Sequence, residues 1–67
     1  MIYPKGEQVW TRYYNSSHEL LFIITSKDIR DYYFLYEFVD GTFKKLGKAK
    51  SPLELEERFN VLKRMQT

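Results

Sequence analysis

Apolar positions in this chain come in consecutive runs, and the runs read as strands. Leu20–Ile24 is apolar at every position, and 32–39 is interrupted only by Glu37. Side chains alternate across a strand, so such runs place apolar groups on both faces of a sheet. Val9–Tyr14, rich in β-branched and aromatic residues, reads as an earlier strand, joined to the next by the turn-forming Asn15-Ser16-Ser17-His18. The second strand runs over 19–25, and 26–31 is a polar connection in which Asp28 and Asp31 flank Arg30.

Asp40-Gly41 lies between two β-rich runs and predicts a type I′ hairpin turn, which needs positive φ at both central residues. A two-residue loop sets Val39 against Thr42. It then pairs Phe38 with Phe43, Glu37 with Lys44, Tyr36 with Lys45, Leu35 with Leu46, Phe34 with Gly47 and Tyr33 with Lys48. One face then carries Tyr32, Phe34, Tyr36, Phe38, Phe43 and Ala49. The other carries Tyr33, Leu35, Glu37, Leu46, Lys44, Lys48 and Lys50.

Ser51-Pro52-Leu53-Glu54 marks a helix start. Ser51 can cap, Pro52 suits the first position, and Glu54 can complete a capping box. Leu55, Phe59 and Leu62 follow at helical spacing, and Glu54 stands four residues before Arg58. The expectation is an α+β domain: a four-stranded, mainly antiparallel β-meander (β-β-β-β-α) over residues 1–67, with one C-terminal helix. The helix is expected on the aromatic face carrying Phe34 and Phe38, which leaves the opposite face open.

Composition narrows the functional classes. Sixty-seven residues make one small domain, which buries only about 60% of its unfolded surface. There is no cysteine and only one histidine, so disulfides, thiolate metal sites and a histidine-based metal centre are not expected. Dense aromatic packing or self-association remains, and twelve aromatic residues fit either. A net charge of +2 is too balanced to name a polyanion partner. The first six residues lack the apolar core of a signal peptide, and no apolar run reaches membrane-spanning length. A cytoplasmic protein is expected.

Candidate chemistry is sparse. His18 stands near Ser16, Ser17 and Glu19, but neighbours on one turn rarely converge on a reacting centre, so a catalytic reading is set aside. Gly6, Gly41 and Gly47 are isolated and form no phosphate loop, and no cofactor is expected. An exposed apolar patch with a polar rim marks an interaction site. Tyr33, Leu35 and Leu46 form the expected patch, with Trp10 and Tyr14 as outer contacts. The competing account is that the N-terminal segment, with Trp10 or Ile2, folds back over it. Strand alternation places Trp10, Arg12 and Tyr14 together on one face of the first strand.

The expectation for function is a small non-catalytic protein-interaction module of adaptor or inhibitor type. It is expected to form a homodimer through the sheet face opposite the helix. The alternative is nucleic-acid binding, with Lys44, Lys48 and Lys50 on phosphates and Tyr33 as a stacking surface. Set against that, lysines along an edge strand also serve to keep other chains from pairing with it.

Overall fold

The computed structural model describes residues 3–27 and 32–65, so the connection 28–31, with Asp28, Arg30 and Asp31, lies outside the described residues. Four strands, β1 (Gln8–Tyr14), β2 (Leu20–Ser26), β3 (Tyr33–Val39) and β4 (Thr42–Ala49), form one antiparallel sheet in the order β1-β2-β3-β4. Two short helices follow, α1 (Pro52–Arg58) and α2 (Val61–Arg64). The α+β meander expected from the sequence is the observed fold, with the helical segment divided in two.

Local chemistry accounts for the turns. Asp40 and Gly41 have φ of 52° and 80°, as the I′ hairpin requires. Between β1 and β2, the Asn15 side-chain carbonyl accepts from Ser17 N at 2.8 Å and Glu19 N at 3.0 Å. The Ser51 hydroxyl accepts from Glu54 N at 3.2 Å, and Pro52 opens α1. The Glu54 carboxylate bonds to Arg58 rather than reaching back to the cap.

The hairpin register follows expectation from Val39↔Thr42 to Tyr36↔Lys45 and then shifts. A bulge leaves Leu46 without a partner, so Leu35 pairs with Gly47, Phe34 with Lys48 and Tyr33 with Ala49. A glycine inside a strand often marks a bulge or a close approach, and Gly47 marks both. The Phe59 ring sits where a Cβ on Gly47 would come within 2.7 Å of its Cζ.

That contact fixes which face the helices cover, and it reverses the expected one. Leu55 and Val61 pack on Tyr13, Phe22, Ile24, Leu35 and Ala49, with Tyr33, Leu46 and Phe59 alongside. Phe34, Tyr36, Phe38 and Phe43 lie on the opposite side. The expected helix stripe also changes. Asn60 adopts a left-handed conformation (φ 53°, ψ 44°) that ends α1, a conformation asparagine tolerates better than most residues. The break rotates the following turn, so Val61 is buried and Leu62 is left 54% exposed.

Candidate functional site

The face opposite the helices is built on aromatic residues of β3 and β4. Phe43 has Phe38 at 4.9 Å and Tyr36 at 6.5 Å between ring centroids. From the N-terminal segment, Tyr3 stacks on Phe43 at 5.3 Å with an interplanar angle of 24°. Glu7 anchors this segment. Its carboxylate accepts from Thr25 Oγ1 at 2.6 Å and from the Tyr36 hydroxyl at 2.9 and 3.0 Å. Burial, reinforced by the bond to Glu7 and its negative charge, pushes the Tyr36 phenol up to about 12. The segment thus explains why Thr25 is fully buried with no helix above it. Ile23, between Arg12 and Tyr36 in the ladder, is equally buried.

Cations lie across the rings of this face. Lys45 Nζ stands 4.4 Å from the Phe34 centroid and 5.6 Å from that of Tyr36. Lys48 Nζ is 4.7 Å from the Tyr32 ring, and the Arg12 guanidinium is 5.5 Å from that of Tyr3. Each such exposed contact contributes about 0.5–1 kcal/mol. Arg12, Lys45 and Lys48 are exposed, and Phe34, Phe38 and Phe43 are half-buried. Among the described residues, the carboxylate bonded on this face is that of Glu7. Glu54, Glu56 and Glu57 belong to α1, on the far side of the sheet.

A concavity of about 640 Å³ opens where the helices meet the sheet, lined in part by Leu21, Phe22, Phe59, Asn60, Lys63 and Arg64. Arg64 lies over the Phe22 ring at 5.1 Å and pairs with Glu37 at 3.3 Å. Nearby, the Tyr13 hydroxyl donates to the Glu56 carboxylate, tying β1 to α1. Burial first, and then that bond, raise the Tyr13 pKa well above the usual phenol range. Among the described residues, no group of three or more His, Asp and Glu side chains converges as a metal would require. His18 is exposed in the β1–β2 turn with φ 63°.

The sequence-predicted site residues are separated by this arrangement. Leu35 is 0% exposed beneath the helices, and Tyr33 and Leu46 pack against the same core. The expected open patch therefore lies on the side that the helices cover, with Leu35 buried and Tyr33 and Leu46 half-buried, because Gly47 admits Phe59 there. Trp10 is the extra residue of a bulge in β1, and this overturns its expected alternation with Arg12. It meets Tyr33 edge-on at 5.9 Å, on the helix side, while Arg12 meets Tyr3 on the other. Trp10 remains 56% exposed and Tyr14 46% exposed, the latter paired with Leu20 at the end of β1. Lys44 faces Glu37 on the helix side, and Lys50 lies beyond β4. Of the three lysines expected beside Tyr33, only Lys48 stands among rings, and those are Tyr32 and Phe34. The face left free of helices is the one that the sequence pattern predicts as core. No local signal separates the two faces: tyrosines lie on both, and Tyr13, buried on the helix side, finds its partner in Glu56 of α1.

Comparison with known protein families, with curated proteins and with solved structures yields no match to this chain. Among the described residues, no helix is long and apolar enough to cross a membrane.

Proposed function

We propose that this chain is a small non-catalytic interaction module that works through the sheet face opposite its helices and takes an acidic partner. The observation that carries the reading is the set of three exposed cations, Arg12, Lys45 and Lys48, laid over half-open aromatic rings. Rings supply contact area at low cost in conformational entropy, and cations supply orientation and attraction.

Charge weighs against a second copy as the occupant. Two such faces brought together would oppose their cations, and Glu7 is already engaged by Thr25 and Tyr36. A homodimer is still the simplest way for so small a domain to gain core, so the two occupants are tested against each other. Light scattering over a dilution series at low salt should return a monomer mass. Amide shift mapping with a polyglutamate peptide should then move resonances of β3 and β4 around Phe34, Lys45 and Lys48. A dimer that persists on dilution gives the face to a second copy. Shifts confined to Lys63 and Arg64 would move the site to the helix-side cleft.

A further inference from the structure

The placement of two lysines on β4 carries one step beyond an acidic partner of unspecified kind. Lys45 and Lys48 are three residues apart, and in a regular strand such residues point to opposite faces. The unpaired Leu46 cancels that parity, so Lys45 stands across from Tyr36 and Lys48 across from Phe34. Bulges commonly re-aim side chains in this way. On the neighbouring segment, Tyr32, Phe34 and Tyr36 recur at every second residue, about 6.7 Å apart where the chain is extended. The result is two accessible rings, Tyr32 and Phe34, with Lys48 and Lys45 beside them, while Tyr36, next in the row, is buried and held by Glu7.

An acidic peptide would use the cations but has no need of a pair of ring faces. A duplex would use the cations but keeps its bases stacked inside. A single strand uses both, with phosphates on the cations and unstacked bases on the rings. Resting on the function proposed above, we infer that this face binds single-stranded nucleic acid. Arg12, Lys45 and Lys48 hold phosphates, and Tyr32 and Phe34 stack bases. Binding exchanges exposed cation–ring contacts for ion pairs as each lysine head moves from ring to phosphate. Because every base has a flat face, sequence preference is weak.

The test measures fluorescence anisotropy of a labelled short oligo-dT with the full chain, beside the matching duplex and a labelled polyglutamate peptide. Three phosphate contacts predict that affinity falls roughly 20-fold between about 50 and about 200 mM salt. The single strand should bind best. Tyr32→Ala and Phe34→Ala should each weaken it on the order of tenfold while leaving polyglutamate binding unchanged. Tyr32 is exposed and precedes β3, so its substitution reads the ring's role even if the Phe34 variant folds poorly. Lys45→Gln with Lys48→Gln should weaken both ligands. Equal binding of oligo-dT, duplex and polyglutamate, with no effect of Tyr32→Ala, overturns the inference and leaves the acidic-partner reading standing. Binding of none of them at low salt overturns both.

Discussion

Phe59 and Gly47 are matched: the ring fills the space a side chain on the glycine would need, its Cζ 2.7 Å from the position of a Cβ. This pairing seats the end of α1 on the Leu35 side of the sheet and leaves the Phe34 side open. Gly47→Ala should therefore force the ring away and destabilise the fold by about 1–3 kcal/mol, measured as a lower urea midpoint. Adding Phe59→Leu should recover part of that loss, because a smaller side chain frees the position. If Gly47→Ala alone leaves the midpoint unchanged, the contact does not position the helix.

The break at Asn60 sets which helical residues matter. Leu55→Ala removes a side chain with no solvent exposure and should cost about 2–5 kcal/mol. Leu62→Ala, at an exposed position, should stay within about 0.5 kcal/mol of the parent. A helix continuous through residue 60 would instead bury Leu62, and equal losses at both sites would point to it. Asn60→Gly should be neutral or slightly stabilising, since glycine enters the left-handed region without strain.

Strand existence, the Asp40-Gly41 turn, the first four hairpin pairs and the Ser51 cap were legible because each depends on residues close in sequence. Parity within β3 was legible too, since Phe34, Tyr36 and Phe38 share one face as alternation predicts. Two things were not. Local pattern does not reveal which of two apolar faces a helix chooses when both are rich in large side chains. Here the choice turned on Gly47, whose partner Phe59 lies twelve residues on. Bulges also escape a pattern that assumes strict alternation. Those at Trp10 and Leu46 moved Trp10 away from Arg12 and Lys48 away from Tyr33. The candidate site moved with them, while its ingredients, lysines beside aromatic rings on an open sheet, stayed the same.

Glu7 and Tyr36 give the N-terminal segment a pH response. The Tyr36 phenol is held up to about 12 in the fold, above its ordinary value near 10. A folded pKa raised above the unfolded one favours the protonated form. The stabilisation is therefore complete below about pH 10 and is lost as pH rises toward about 12. Tyr13, shifted in the same direction beside Glu56, adds to the loss. Thermal unfolding should show Tm falling across that window. Glu7→Gln should lessen the fall, since burial still raises the Tyr36 pKa while the carboxylate charge no longer does. A Tm that holds constant over the window in the parent protein would contradict this account.

Leu46 permits a sharper test of the hairpin, because deleting it should repair the ladder instead of breaking it. Tyr36↔Lys45 and Leu35↔Gly47 already flank the bulge on consecutive β3 residues. Removing the extra residue would join Lys45 directly to Gly47 in a regular strand, with the same two faces as before. Lys48 would still stand opposite Phe34, and Gly47 would still receive Phe59. The cost is the half-buried Leu46 side chain, on the order of 1–2 kcal/mol of apolar burial. Some of this is offset by restoring regular hydrogen bonding. The deletion variant should therefore fold with modestly lower stability and keep cross-strand amide contacts between Leu35 and Gly47. Substituting Leu46→Ala keeps the bulge and should lose a similar amount of burial without that compensation. If the deletion instead slips the register so that Lys48 pairs with Tyr33, its lysine would turn to the helix side, and binding of polyanions at the open face should weaken accordingly.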